Sequence, residues 1–486
     1  MRNTHLLDQA RVLVGTLASS LGADLIETHI SWVLLAGDSA YKIKKSVRLP
    51  FVDYSALQAR RHFCEEELRL NRRLAPSLYL CLARITGTPQ APQLDGSGPA
   101  LEYAVHMRRF PKGALFAEQL AAGTLSHLDV DALADLLADF HNTQAPAAPA
   151  TPFASAPTRH MAARAALKGA LAAAQPAEQA KLRDWIESEA STLQALWTER
   201  RHAGRVRECH GDLHLNNVVS LPGSVAAFDG IEFDPALRWI DVLDDIAFAV
   251  MDFMACGRAD LAWRLLNRWL DGTGDHAGLP ALRFSMLYRA LVRAQVEQLN
   301  GPGPAAAARR YLDTALALTQ PGQPRLFVTH GLPGSGKTFA SQKLLECEGA
   351  IRLRSDVERK RLFGLDMLAD SRASGLDLYQ PEVTARTYAA LLSRARAALK
   401  AGWPVILDAA FLHRAERAQA LALAGELDVP FSIIDCQAPP QVLRERLQAR
   451  RGDASEVTAE VIDHLRLSAE PLTAEELRHV LPAPGH

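Results

Sequence analysis

Asp212 and Asn217 stand five residues apart in His210-Gly211-Asp212-Leu213-His214-Leu215-Asn216-Asn217, and Asp229 follows a hydrophobic run in Phe228-Asp229-Gly230. Two carboxylates and an amide in this order suit phosphoryl transfer from ATP. One carboxylate positions or deprotonates an acceptor hydroxyl, while the amide oxygen and the other carboxylate hold a metal on the phosphates. A second constellation lies at Gly331-Leu332-Pro333-Gly334-Ser335-Gly336-Lys337-Thr338, behind the apolar run Leu326–His330 and before a helical pattern over 339–346. This is GxxxxGK[ST]. Gly331, Gly334, Ser335 and Gly336 leave backbone N–H groups open to phosphate oxygens, and the following helix N-terminus adds positive potential. Lys337 then reaches the β/γ-phosphates and Thr338 a Mg²⁺. ATP and Mg²⁺ are the expected cofactors of both patterns.

Asp-x4-Asn followed by Phe-Asp-Gly matches the catalytic loop and metal-binding triplet of kinases. With His210-Gly211 in place of His-Arg, the stretch resembles the aminoglycoside phosphotransferase (choline kinase-like) branch of that fold. The resemblance implies Asp212 as the catalytic base and Asn217 and Asp229 as metal ligands. It also places the buried Asp that braces the catalytic loop at Asp241, twelve residues past Asp229. Glu232, Asp244 and Asp245 are divided evenly between pocket and structural duty. His210 is expected to shape the loop by bonding to backbone, since two histidines without a third ligand make a poor zinc site.

These groups need a scaffold before them. Residues 5–21 read as an amphipathic helix, and Ile26 to Lys45 as two strands around Ala36-Gly37-Asp38-Ser39. Period-2 alternation puts Lys42 and Lys44 on one face of the second strand. In kinases an Ala two residues before the Lys packs on adenine, and Ala40 favours Lys42 as the nucleotide lysine. Residues 64–74 follow as a helix resembling the kinase C-helix, whose Glu pairs with that Lys. Glu67 falls in register, with Glu65 and Glu66 as competitors. No GxGxxG covers the phosphates, a departure that weakens a protein-kinase reading. Residues 101–109 read as the last strand of this lobe, with a hinge near Met107.

Residues 131–141 form an apolar-periodic helix ending in His141, a core histidine by expectation. The Pro/Ala-rich stretch 145–157 reads as a surface connector. Helices over about 158–174 and 177–200, and one over 284–299 carrying Arg289 and Arg293, complete this half, and the resemblance assigns acceptor choice to the inserted helices. A short hinge at 320–324 ends it.

Beyond the Gly-rich loop, Arg354-Ser355-Asp356-Val357-Glu358-Arg359 resembles the acceptor segment of small P-loop kinases of the polynucleotide-kinase and gluconate-kinase type. The resemblance makes Asp356 the base and Arg359 its partner. Val405–Asp408 is an apolar strand ending in Asp408, a Walker B-like metal position. The basic run 443–451 resembles the lid helix of such kinases, with Arg446 and Arg450 as phosphate clamps and Arg451 in reserve. Strands and helices alternating over 325–467 predict a parallel sheet.

At 486 residues the chain exceeds one core, so two domains are expected. These are 1–320, with an N-lobe of about 1–110 and a helical lobe of about 111–320, and 321–486. The fold class is an α+β protein-kinase-like bilobal domain followed by an α/β P-loop NTPase domain with a doubly wound parallel sheet. A net charge of −1 argues against a broad face for duplex nucleic acid. Six scattered cysteines without a CxxC pair read as thiols of a reducing compartment. With no long apolar run and no leader pattern, a cytoplasmic location without membrane contact is expected.

The whole then reads as a bifunctional ATP-dependent phosphotransferase. The first half would act on a small hydroxylated molecule, and the second on a sugar, nucleoside or nucleic-acid 5′-hydroxyl. The alternatives are one half gating the other as a regulatory ATP-binding module, or a protein Ser/Thr kinase. The acceptors and the oligomeric state are not readable from the chain.

Overall fold

The computed structural model describes residues 2–49, 52–148, 151–170, 174–299, 305–371, 376–449, 453–457 and 462–481. The chain divides into two compact units. The first comprises 1–136, 140–159 and 197–249; the second comprises 137–139, 160–196 and 250–486.

In the first unit, six strands form an antiparallel sheet in the order Asp24–Glu27, Ser31–Ala36, Ser39–Lys44, Glu102–Arg108, Tyr79–Thr88, Ala91–Leu94. Alternation decides what each face carries. Trp32, Leu34, Ile43, Ala83 and Ile85 bury against Leu13, Val14 and Leu17 of the helix Arg2–Leu21. The opposite face meets the helix Leu57–Asn71 through Cys64, Leu68, Tyr79 and Val105. Lys42, opposite Val33 and Val105, lies on this second face with Lys44. The expected pair of strands around residues 36–39 is present, and Asp24–Glu27 extends the sheet at its edge.

The hairpin Val218–Leu221/Ser224–Ala227 follows the Asp-x4-Asn loop and leads to Asp229. Val206–Glu208 pairs with Trp239–Asp241 and delivers His210. The Pro/Ala-rich stretch is more than a surface connector in its described part. Pro146 bridges to Arg207, Ala147 N–H donates to Val206 O, and Ala154 is buried. The strand Val206–Glu208 would otherwise lack a backbone partner on that side.

In the second unit, the helices Ala259–Thr273, Leu279–Leu299 and Ala305–Leu318 accompany a parallel sheet. Its five strands run in the order Ile351–Arg354, Val405–Asp408, Leu326–His330, Phe431–Asp435, Val480–Leu481. Val328, Leu353, Leu407 and Ile433 are buried, as strands covered on both faces require. The last strand lies beyond the span in which the alternating pattern is visible, and two residues are too few to show a period. No helix among the described residues is long and apolar enough to cross a membrane.

Candidate active sites

The catalytic loop of the first unit is built on hydrogen bonds to one carboxylate. Asp245, in the first turn of the helix Val242–Ala255, accepts the backbone N–H of His210 at 3.0 Å and of Gly211 at 2.9 Å. His141 Nε2 lies 3.1 Å away on the same carboxylate. Burial pushes the Asp245 carboxyl up, but the bond from His141 and those backbone donors outweigh it and hold it at about 2. The brace is therefore Asp245, and the expectation of Asp241 is corrected. Asp241 ends the strand Trp239–Asp241, and its hydrogen bonds and ion pairs run to Arg200, Arg159 and Leu243 N–H rather than to the loop. Its oxygens receive Arg200 at 2.7 and 2.8 Å, with Arg159 at 3.5 Å. Asp244 pairs with Arg159 at 2.7 Å, so it too is structural.

His210 shapes the loop as expected. Its Nε2 lies 2.8 Å from Phe228 O, and its Nδ1 receives Asp212 N–H at 3.3 Å. Burial lowers its pKa, which favours the neutral ring these two bonds require. Gly211 has φ of 86°, and a Cβ there would meet Leu237 O at 2.7 Å. Only glycine fits that bend. Asn217 closes the loop from the turn Leu215–Asn217, donating through Nδ2 to Asp212 O at 2.9 Å and Oδ2 at 3.2 Å.

Asp229 adopts φ of 62°, a left-handed conformation costly for any residue but glycine. Two bonds hold it there. Its N–H donates to the Tyr79 hydroxyl at 3.0 Å, and Gly230 N–H donates to Asn71 Oδ1 at 2.8 Å. Asn71 Nδ2 in turn donates to Glu67 O at 2.9 Å, tying the triplet to the helix Leu57–Asn71. Tyr79 and Asn71 escaped the sequence reading, although Asn71 stands one helical turn after Glu67.

Glu67 is fully buried and takes both lysines, Lys42 Nζ at 2.9 Å on Oε1 and Lys44 Nζ at 2.7 Å on Oε2. Lys42 also contacts Asp229, whereas Lys44 contacts Glu232. Glu65 and Glu66 pair on the surface with Arg61 and Arg69 at 2.9 Å each. Glu232 receives the Tyr54 hydroxyl at 2.5 Å and is buried. Lys42, Glu67, Asp229, Asn217 and Asp212 thus share one region, with Asp212 and Asp229 the more open, their side chains 35% and 44% exposed.

The second unit brings the Gly-rich loop to the end of Leu326–His330 and into the helix Lys337–Glu348. Gly331, Gly334 and Gly336 have φ of 139°, 82° and 99°. A Cβ on Gly331 would meet Cys436 O at 2.2 Å. Lys337 Nζ folds back to Gly331 O and Leu332 O, both at 2.9 Å. The buried Ser335 hydroxyl has no partner among the described residues. Asp408 ends its strand and accepts Ser341 Oγ at 2.9 Å.

A cavity of 1220 Å³ collects Lys337, Thr338, Asp356, Arg359, Asp408 and Arg446 along its wall. Arg359 is buried, donating to Leu378 O at 2.8 Å and Thr384 Oγ1 at 3.1 Å with its guanidinium over the Tyr379 ring. Arg446 donates to Gly334 O at 3.2 Å, which places it over the loop. Arg450 and Arg451 lie outside the described residues. Arg354, to which the sequence assigned no role, also lines the cavity.

With this geometry in view, two family profiles match the chain: the phosphotransferase enzyme family over residues 55–285 and an AAA domain over 326–472. A curated "uncharacterized protein" of Mycobacterium tuberculosis (strain H37Rv) is 31% identical over 456 residues, covering 90% of this chain and 88% of its own. An "uncharacterized protein" of Mycobacterium bovis matches to the same extent. Among solved structures, a choline/ethanolamine kinase family protein from Mesorhizobium loti is similar at 14% identity and a TM-score of 0.38, over 63% of this chain and 93% of that one. A gluconokinase from Sinorhizobium meliloti is similar at 17% and 0.26, over 33% and 82%. Likenesses this distant carry no assignment of substrate.

Proposed function

We propose that each half of this chain, which belongs to one family with its mycobacterial relatives and carries a phosphotransferase enzyme family match ahead of an AAA domain, is a separate Mg²⁺-dependent kinase site. That the chain is an ATP-dependent phosphotransferase acting on hydroxyl groups follows from its two kinase-family domains. The finer reading divides it near residue 320 into a bilobal kinase-like half and a doubly wound P-loop half. The order of the parallel sheet, with strands on both sides of Leu326–His330, supports the second description.

In the first half, Asp212 takes the proton of the acceptor hydroxyl, with Asn217 Nδ2 fixing its carboxylate. Lys42 neutralises the α/β-phosphates, and Glu67 holds it at the site. Asn217 and Asp229 supply amide and carboxylate oxygens, the hard ligands that Mg²⁺ prefers. A metal held there would supply charge neutralisation for the transferred phosphoryl group. Asp229, held in its left-handed conformation by Tyr79 and Asn71, presents its carboxylate from a fixed position. The acceptor is a small hydroxylated molecule.

In the second half, the backbone N–H groups of Gly334, Gly336 and Lys337 at the cavity wall and the Ser335 hydroxyl, which has no partner among the described residues, fit a triphosphate, as does the glycine cradle that a Cβ would block. Lys337 exchanges its two carbonyl partners for phosphate oxygens. Thr338 and Asp408 would hold Mg²⁺, which would supply charge neutralisation at the phosphates. Asp356 takes the acceptor proton, Arg359 steadies the pocket wall beside it, and Arg446 with Arg450 clamps the transferred group. A sugar, nucleoside or nucleic-acid 5′-hydroxyl is the acceptor class.

The observation that carries this reading is that Gly334, Gly336, Lys337, Thr338, Asp356, Arg359, Asp408 and Arg446 of the second half line one cavity, while the candidates of the first half converge in the other unit. Phosphorylation of a metabolite pool by the full chain tests it. Asp212→Asn is expected to remove one set of products and Asp356→Asn another. A single set lost in both variants would leave one catalytic half.

A further inference from the structure

The helix Ala259–Thr273 belongs by sequence to the phosphotransferase match, which runs to residue 285. It nevertheless lies in the same compact unit as the parallel sheet. Ile351–Arg354 is an edge strand of that sheet, and an edge leaves backbone donors and acceptors unpaired. Asn267 covers it. Its Nδ2 donates to Ala350 O at 2.9 Å, and its Oδ1 accepts Arg352 N–H at 2.6 Å, the donor–acceptor pair a neighbouring strand would offer.

One turn further along the helix, the buried carboxylate of Asp271 lies 3.5 Å from Arg352 and 3.6 Å from Arg354. The same helix end receives Arg361, which donates to Leu270 O at 3.3 Å and Asp271 O at 2.6 Å. Arg361 closes the short helix Ser355–Arg361 that carries Asp356 and Arg359. Three separate contacts therefore join this helix to the strand and helix that wall the cavity.

Arg354 is where those contacts meet the chemistry. It pairs in register with Asp408 across the parallel strands, directly precedes the helix of Asp356, and lines the cavity with both. Its other nitrogen donates to Asp453 at 2.9 Å. Burial works against its charge, but Asp271, then Asp408, Asp453 and Asp356, hold the guanidinium protonated.

We propose that Asp271, contributed by the phosphotransferase half, is a positioning residue of the P-loop site. It draws the Arg354 guanidinium back against the cavity wall, so that Asp408 and Asp356 stay available to metal and acceptor. The P-loop site is then incomplete without a residue that precedes it by more than fifty positions in the chain. This rests on the reading of Lys337, Asp356 and Asp408 as a kinase site.

The test uses the full chain with Asp212→Asn, so that the first site is silent, and follows hydrolysis of Mg·ATP. Asp271→Asn is expected to lower kcat by about tenfold to a hundredfold, the scale of a displaced site group, with KM for ATP within about twofold. Asp271→Glu is expected to restore most of the rate. Asp271→Asn/Arg354→Gln is expected to be no slower than the slower single variant. If Lys337→Ala abolishes hydrolysis and Asp271→Asn does not change it, the positioning role falls while the P-loop reading stands. If hydrolysis survives Lys337→Ala, both fall. A rate loss in Asp271→Asn that Glu does not rescue and that adds to the Arg354→Gln loss also overturns the role. Should Asp271→Asn fail to fold by its melting curve, Asp271→Asn/Arg354→Gln decides, since it also removes the guanidinium that would otherwise compete for Asp408 and Asp356, and a kcat there about tenfold or more below the parent value overturns the proposal.

Discussion

Lys44 Nζ donates to Glu67 Oε2 at 2.7 Å, on the carboxylate whose other oxygen takes Lys42. A buried ammonium group, Lys44, and a half-buried one, Lys42, share one buried anion, and Glu232 supplies the second negative charge that Lys44 needs. The two lysines therefore have different duties. Lys42 reaches Asp229 and, in the proposed reading, phosphate, while Lys44 is enclosed among Glu67, Glu232 and Tyr54.

Lys44→Met is expected to destabilise the first unit by about 3–5 kcal/mol, because it strips Glu232 of its ammonium partner in a buried setting. Lys42→Met leaves Glu67 paired with Lys44, so its main effect is loss of turnover at the first site. Urea denaturation of the two variants, with initial rates in a Lys337→Ala background, separates these outcomes. Equal stability losses would contradict the division.

Asp245 and Asp241 are expected to fail differently. Asp245→Asn presents an amide NH₂ to backbone donors that need acceptors, so the catalytic loop shifts and turnover at the first site falls about a hundredfold. Asp241→Asn weakens the buried pair with Arg200 and lowers stability, while turnover of the folded protein stays near the parent value. Rates and melting temperatures measured side by side check the contrast.

Acid should unfold the protein in two stages. Burial first, then the charges of Arg361 and Arg394, lower the His276 pKa from 6.5 to about 3. Below pH 6.5 the unfolded chain binds a proton that the folded chain refuses, so stability falls with pH by up to about 1.4 kcal/mol per unit. Glu67, normally 4.5 and held at about 2 by Lys42 and Lys44 against the effect of burial, contributes stability above 4.5 that is lost between 4.5 and 2. Asp245 acts in the same sense from 3.8 downward. Urea midpoints at pH 7, 5.5 and 4.5 should decline steadily, and His276→Gln should flatten the slope between 6.5 and 4.5.

Nucleotide stoichiometry reports the two sites directly. Calorimetric titration with a non-hydrolysable ATP analogue and Mg²⁺ is expected to give two equivalents per chain. Gly331→Ala should reduce this to one, because its Cβ would press on Cys436 O, a backbone atom that cannot swing aside. Two equivalents in that variant would move the second nucleotide away from the Gly-rich loop.

Both phosphate-handling motifs were legible in the chain because their geometry is local. Asp212 and Asn217 meet across a single turn, and residues 331–338 wrap one loop between a strand and the helix that follows it. Hydrophobic period likewise marked the longer strands and helices. What remained were choices among like residues, open for Lys42 or Lys44 and for Glu65, Glu66 or Glu67, and wrongly made for the loop brace, where the resemblance points to Asp241 but Asp245 holds the loop. Each turns on a partner distant in sequence, as with Lys44 and Glu232, 188 residues apart. Periodicity says which face a side chain takes, but not what lies across from it. Burial then settles the matter, since an ammonium or carboxylate removed from water must find its counterpart. Asn267 and Asp271 sit in an ordinary amphipathic helix, and only the packed fold puts them on the edge of a sheet that begins more than fifty residues later.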